Sequence, residues 1–264
     1  MKVHAHAKIN LGLRVLAKRK DGYHNIDTLF AEVDLADELT IKARKDGEIH
    51  VSGLDVPDEK NSIFQAAWLL QQLSEEAVGV DITVEKKIPM EAGLGGGSSD
   101  AAVTLKALNK IWKLKLEEKR LEHLAIKLGA DAPFFIRGGV QRGRGIGERL
   151  SPIDWPKGLA KNVVIVVPAI PVSTKWAYEY IELPKKWVEF EPGDLTNDFE
   201  KLLFPRLPLL KNIKMMLKRH GASEASLSGS GSAIYGLFKS KKTAKEAATK
   251  LGKYGEVFVT QLKS

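Results

Sequence analysis

The chain has 264 residues, 44% of them hydrophobic and 28% charged, and no cysteine. That length suits one large domain or two modest ones with a sizeable apolar core, and the balance of residue types excludes a disordered chain. The lack of cysteine excludes disulfides, thiolate nucleophiles and Cys-ligated zinc, leaving phosphate, carboxylate, hydroxyl and imidazole chemistry. No apolar run approaches the roughly 20 residues of a membrane-spanning helix. The opening Met1-Lys-Val-His-Ala-His-Ala-Lys8 lacks the apolar stretch of a secretory signal, so a cytoplasmic location without membrane attachment is expected. Forty-one Lys and Arg against 33 Asp and Glu give a net charge of +8. The surplus suits a polyanionic ligand, but it equally describes a lysine-rich solvated surface, because the basic residues are scattered.

From the N-terminus, Ile9, Leu11, Leu13 and Val15 alternate with polar or small residues, the pattern of a half-buried strand whose other face carries Lys8, Asn10 and Gly12. Asp21-Gly22 signals a turn, and Leu29 to Val33 and Glu38 to Ile41 read as two short strands. Residues 62 to 73 have helical spacing in Ile63, Ala66, Ala67, Leu70 and Leu73, with Asn61 or Ser62 as cap. A strand over Val80 to Val84 leads through Lys86-Lys87-Ile88-Pro89 into a glycine-rich loop. Helices are expected over Val103 to Trp112 and Leu116 to Leu128. The segment 151 to 162, with two prolines and a glycine, reads as a boundary between halves, placed at 155/156. Beyond it come a buried strand over Val163 to Val167 and a helix from Ser173-Thr174 through Ile181. A helix over Leu209 to His220 ends at Gly221, followed by strand, helix and strand over 233–238, 242–251 and 257–262. No internal repeat emerges, and the class is α+β.

The loop Glu91-Ala-Gly-Leu-Gly-Gly-Gly-Ser-Ser-Asp-Ala-Ala102 runs directly into a helix. Glycine permits positive φ and lets backbone N–H groups approach anionic oxygens, while a helix N-terminus adds unpaired donors and a favourable dipole. Ser98 and Ser99 can donate hydroxyls to phosphate or help hold Mg²⁺. No Gly-Lys-Ser/Thr closes the run, so it is not a Walker A loop, and it lacks the spacing of a dinucleotide fingerprint. His4 and His6 alternate on one strand face but have no further ligand spacing, so no metal site is expected.

The strings Ala7-Lys-Ile-Asn-Leu-Gly-Leu13, Asp21-Gly-Tyr-His24, Gly93-Leu-Gly-Gly-Gly-Ser-Ser-Asp-Ala-Ala102, Gly129-Ala-Asp-Ala-Pro-Phe-Phe135 and Leu227-Ser-Gly-Ser-Gly-Ser232 come in an order that resembles the GHMP kinases. The resemblance covers nearly the whole chain. It implies a two-domain α+β fold: an N-terminal ribosomal-protein-like α/β domain (1–155), a C-terminal α/β-plait domain (156–264), and an active site in the cleft between them. Gly-Tyr-His together with Ala-Lys-Ile-Asn-Leu and Gly-Ala-Asp-Ala-Pro-Phe-Phe narrows the resemblance to members that use ATP to phosphorylate the 2-hydroxyl of a cytidine-diphosphate-linked methylerythritol, in the non-mevalonate route to isoprenoid precursors.

By this resemblance Asp131 accepts the alcohol proton and Lys8 orients it and offsets charge on the transferred group. ATP is expected against Pro89, Met90, Glu91, Ala92, Gly93, Leu94, Gly95, Gly96, Gly97, Ser98 and Ser99, with Mg²⁺ accompanying it through a protein ligand left open. Asn10, Tyr23, His24, Thr174 and Tyr178 are expected to bind the cytidine-diphosphate-linked polyol, the aromatics by stacking on the base. Ser228, Gly229, Ser230, Gly231 and Ser232 are expected to support the first loop. Two departures stand out: His6 replaces the usual proline, and Met90-Glu91-Ala92 replaces a more glycine-rich approach. Glu91 should face solvent, since a carboxylate turned toward phosphates is unfavourable. Bland alternatives remain: a helix-cap acid for Asp131, a surface strand lysine for Lys8, interface packing for Tyr23 and Tyr178. A GHMP kinase acting on mevalonate, homoserine or a sugar is a second reading, and a basic nucleic-acid-binding protein a third, although no nucleic acid is expected as a partner. Monomer and homodimer are both compatible with the sequence.

Overall fold

Alternation of Ile9, Leu11, Leu13 and Val15 puts the N-terminal segment in a strand, β1, which spans Lys2–Lys18 in the computed structural model. The structure describes residues 1–154, 158–184 and 195–263. Every residue from Ala7 to Leu13 is buried, Lys8 and Asn10 included, so the strand is covered on both faces rather than one. The two short strands expected after the Asp21-Gly22 turn are one, β2 (His24–Arg44). Asp37 holds it extended through the polar stretch: this fully buried carboxylate accepts backbone hydrogen bonds from Lys87 and Ile88.

The described residues group into two compact units. The first comprises Met1–Ala7, Ala36–Ile88 and Gly95–Gly138. Here β3 (Ile49–Ser52) runs parallel to β4 (Gly79–Glu85), which pairs antiparallel with Glu38–Arg44 of β2. Between β3 and β4 comes α1 (Ser62–Gln71), capped by Asn61, whose Oδ1 accepts from the N–H groups of Ile63 and Phe64. The next helix, α2 (Gly96–Ile111), starts inside the glycine run, well ahead of the expected Val103. Among the loop's glycines positive φ is confined to Gly93 and Gly95 (79° and 72°), so the chain is free to turn helical from Gly96. Two shorter helices pack with α2: α3 (Glu118–Ala125) and α4 (Ala132–Arg137). Pro133 in its first turn and Gly138 at its end delimit α4, which has no periodic signal of its own.

The second unit comprises Lys8–Leu35, Pro89–Leu94 and Gly139–Ser264. Ile26–Ala31 of β2 pairs with β5 (Val140–Gly145), which pairs with β6 (Arg149–Pro152). An antiparallel sheet in the order β10-β7-β9-β8 is built from β7 (Asn162–Val167), β8 (Glu224–Leu227), β9 (Ile234–Phe238) and β10 (Glu256–Gln261). β7 is flanked on both sides, which suits its unbroken apolar run. Helices α5 (Thr174–Tyr180), α6 (Phe199–Arg206), α7 (Pro208–Arg219) and α8 (Lys241–Leu251) complete the unit. Leu210, Ile213 and Leu217 of α7 and Ala244, Ala247 and Leu251 of α8 join one cluster with Val164, Val166, Ile234 and Phe238 of the sheet. The expected break at 155/156 falls on residues 155–157, outside the described residues. Among the described residues no helix is long and apolar enough to cross a membrane.

Tyr235 is the largest fully buried side chain among the described residues, and its hydroxyl stands 3.1 Å from the carbonyl oxygen of Asn10 and 3.2 Å from that of Leu11. It ties β9 to β1 where Lys8 and Asn10 are displayed. Tyr235→Phe should lower stability by about 1–2 kcal/mol, the cost of leaving buried acceptors unpaired. Urea unfolding measures this, and an unshifted midpoint would show that the bond contributes nothing.

Candidate active site

Lys8 is only 3% exposed, and its ammonium donates to Asn10 Oδ1 at 2.7 Å and to the Gly93 carbonyl at 3.1 Å. The face of Phe30 lies 5.5 Å away, a favourable surface for a cation. Asn10 is held in turn: its Nδ2 donates to Thr28 Oγ1 at 2.8 Å, and that hydroxyl donates to the Gly12 carbonyl at 2.7 Å. An amide so engaged at both ends aims Lys8, a part the sequence did not suggest. Ser228 Oγ also donates to the Gly93 carbonyl, at 2.9 Å. A Cβ on Gly93 would stand 2.2 Å from the Ser228 carbonyl oxygen, so glycine is required there by space as well as by φ. Glycine loop, lysine strand and Ser-Gly-Ser-Gly-Ser turn therefore meet at one peptide group. Ala92 and Leu94 are buried beside it, whereas Met90 and Glu91 are exposed, Glu91 with φ 54°.

The same unit gathers the aromatic residues. The rings of His24 and Tyr178 lie 5.3 Å apart, and Tyr178 meets Phe199 edge to face at 4.9 Å. Burial, with the Lys18 charge adding to it, pushes the His24 imidazole below its ordinary pKa. It is thus kept neutral, with one donor and one acceptor nitrogen. Tyr23, 57% exposed, stands out from the turn. Thr174 Oγ1 lies 3.0 Å from Ser230 Oγ, so the start of α5 touches the Ser-Gly turn.

The first unit holds the remaining expected residues. Helix α2 has Gly95 at its N-cap and no side-chain cap, so its first N–H groups are available to an anion. Ser62 Oγ donates to the Gly97 carbonyl at 2.9 Å. Ser99 Oγ is buried without a hydrogen-bond partner among the described residues, an orphaned hydroxyl in the helix's first turn. A Cβ on Gly129 would stand 3.1 Å from Ser98 Oγ, which brings the Gly-Ala-Asp segment against that turn. Asp131 occupies the N-cap position of α4, yet its carboxylate does not cap the helix.

Sequence reading missed a buried charge cluster beside this loop. Lys86 Nζ donates to Asp100 Oδ2 at 2.8 Å and to Asp37 Oδ2, while Asp100 Oδ1 has no partner among the described residues. Lys86 thus ties the segment entering the loop to the second turn of α2. Two carboxylates share one ammonium. Burial, reinforced by Asp37 and opposed by Lys86, pushes the Asp100 carboxyl up to about 7. The visible signal was an Asp after Gly-Ser-Ser, but its partners lie far off in sequence.

Two family models match the chain: GHMP kinases N terminal domain over residues 61–139 and GHMP kinases C terminal over residues 183–257. A protein of Chlorobium chlorochromatii named 4-diphosphocytidyl-2-C-methyl-D-erythritol kinase is 40% identical over 269 residues, spanning 95% of this chain and 93% of its own. One of the same name from Pseudomonas syringae pv. syringae is 40% identical over 254 residues, spanning 94% of this chain and 88% of its own. A solved 4-(cytidine 5'-diphospho)-2C-methyl-D-erythritol kinase superposes over the whole of both chains with a TM-score of 0.89 at 35% identity. A mevalonate kinase superposes with a TM-score of 0.71 at 17% identity, a likeness of fold alone.

The Asp100 cluster gives a signed pH dependence. Its carboxyl binds a proton more tightly folded than unfolded, where about 3.9 is usual. The stability this contributes is complete below the unfolded value and is lost as pH rises through about 7. Across that window the urea midpoint of the wild type should fall relative to that of Asp100→Asn, whose side chain does not titrate. Parallel pH curves for the two proteins would show that Asp100 titrates normally.

Proposed function

Because this chain belongs to the GHMP kinases, we infer that it transfers the γ-phosphoryl group of ATP to the 2-hydroxyl of 4-diphosphocytidyl-2-C-methyl-D-erythritol, in the non-mevalonate route to isoprenoid precursors. The observation that carries this reading is identity of about two residues in five with proteins of that name along nearly the whole chain. A mevalonate kinase, a homoserine kinase and a putative sugar kinase of solved structure are 17%, 21% and 15% identical to it. They share the fold and give no reason to prefer their acceptors.

In the mechanism, the alcohol oxygen forms a bond to the γ-phosphorus as the bond to the β–γ bridging oxygen breaks, and ADP leaves with that oxygen. Catalysis of such a transfer is positioning and charge stabilisation. Asp131 takes the alcohol proton, which moves late because a tertiary alcohol is a poor acid. Lys8, aimed by Asn10 and the Gly93 carbonyl, meets the negative charge of the transferred group. The uncapped start of α2 and the residues Pro89 to Ser99 receive the phosphate chain. Magnesium, when bound with ATP, supplies neutralisation of the phosphate oxygens, and the hydroxyls of Ser98 and Ser99 are the groups here that would hold it. Tyr23 and Tyr178 pack on the cytosine, neutral His24 reads its edge, and Thr174 with Ser230 lies toward the reacting end.

For this function we divide the chain into an N-terminal domain, 1–155, and a C-terminal domain, 156–264. The two family models fall one on each side of that division. A monomer and a homodimer are both compatible with this reading. The zero cysteine count suits the cytoplasm.

Incubation with Mg-ATP and the cytidylyl methylerythritol substrate should release ADP, followed by a coupled assay. Asp131→Asn should lower kcat by roughly 10²–10⁴-fold with binding retained, the range for a lost general base. Wild type that leaves this substrate untouched but consumes ATP with mevalonate or homoserine would reassign the acceptor, and an undiminished variant would remove Asp131 from the base's role.

A further inference from the structure

Residues 196–198 lie alongside β1. Leu13 N–H donates to the Thr196 carbonyl at 2.9 Å, Asp198 N–H donates to the Leu13 carbonyl at 2.9 Å, and Val15 N–H donates to Asp198 Oδ2 at 3.0 Å. Between these anchors Asn197 is 3% exposed. Its Nδ2 donates to the Leu227 and Gly229 carbonyls, both at 2.9 Å, and its Oδ1 accepts from Phe199 N–H at 2.9 Å. Both amide hydrogens and the amide oxygen are engaged, which fixes the side chain's orientation.

The two carbonyls it holds bracket Ser228. That residue is fully buried, its N–H donates to the Ala233 carbonyl at 2.9 Å, and its hydroxyl reaches the Gly93 carbonyl. Gly229 lies against that carbonyl and its other partner: a Cβ there would stand 3.2 Å from Gly93 O and 3.5 Å from Lys8 Nζ. Rotation of either flanking peptide would turn Ser228 off the oxygen that it shares with Lys8. Few side chains can do what Asn197 does. Aspartate would set an oxygen against two carbonyl oxygens, leucine would leave both unpaired in a buried site, and glutamine is longer by a methylene.

We propose that Asn197 is a positioning residue for phosphoryl transfer, fixing the Ser228–Gly229 turn and through it the Gly93 carbonyl and the Lys8 ammonium. The proposal rests on the reading of Lys8 as the cation of the reaction. It assigns a kinetic consequence to a residue that touches neither substrate.

Asn197→Asp separates this role from capping, because it keeps the oxygen that accepts from Phe199 N–H and loses both donors. Its kcat should fall by at least about tenfold, with KM for ATP and for the cytidylyl substrate within about threefold, since small misplacements of a reacting group act on the transition state more than on binding. Ser228→Ala should lower kcat in the same way. The double variant should be no worse than the worse single one, because the two residues act along one path. Wild-type kcat in a folded Asn197→Asp protein, or additive losses in the double variant, would overturn the proposal. If Asn197→Asp does not fold, Ser228→Ala decides alone, and normal kcat there overturns it equally. Lys8→Met is measured alongside. Full activity of Lys8→Met overturns the reading of Lys8 and the proposal with it; an inactive Lys8→Met beside an active Asn197→Asp overturns the proposal only.

Discussion

The carbonyl oxygen of Gly93 accepts hydrogen bonds from two side chains, Lys8 and Ser228, which reach it from opposite ends of the sequence. The arrangement is possible because Gly93 has no Cβ and sits at φ 79°. Any other residue would push its side chain into the Ser228 peptide, only 2.2 Å away. The glycine-rich loop therefore has two physical tasks that the same residue type meets. Gly95 to Gly97 open a helix whose start is bare toward an anion, whereas Gly93 allows three strands of backbone to crowd together around an ammonium.

Burying that ammonium is costly unless it is held by good acceptors, because a charge removed from water loses several kcal/mol of solvation. Asn10 Oδ1, the Gly93 carbonyl and the Phe30 ring are among its acceptors and offset part of that loss. An ammonium partly removed from water and fixed in direction acts more strongly on a nearby phosphoryl group than a solvated one. This also explains β1. A strand that shields Lys8 and Asn10 must be covered on the face where they stand, so it is buried on both faces although its sequence alternates.

Legibility in the sequence followed distance along the chain. Lys8, the His24 turn, the glycine loop, Asp131 and the Ser-Gly turn stood in local strings, and it was those strings in order that resembled the GHMP kinases and lent each residue its expected role. Solvent-facing Glu91 was legible too, from the repulsion between a carboxylate and phosphates. What escaped were residues whose meaning is a distant partner. Lys86 looked like one more scattered basic residue, yet it joins Asp37 of β2 to Asp100 of α2. Asn197 followed no motif, and its partners are the carbonyls of Leu227 and Gly229. Boundaries failed for a related reason: β2 continues through a polar stretch because backbone N–H groups of Lys87 and Ile88 bind Asp37, which periodicity cannot register.

The net charge of +8 shows where such reading has to stop. Some of the basic side chains are at the surface and paired: Lys2 with Glu38, Arg19 with Asp21, Arg44 with Asp46 and Asp81. Surface charges of this kind act over a screening length of about 8–10 Å at physiological salt, so they raise the encounter rate with a polyanion without selecting one. Selection needs donors fixed in direction and shielded from water. The buried lysine on β1 and the buried, neutral histidine against Tyr178 meet that requirement, and together they contribute one formal charge. For a kinase that must distinguish its own alcohol and nucleotide from the cell's other anions, the direction of a few buried donors outweighs the sum of the surface charge.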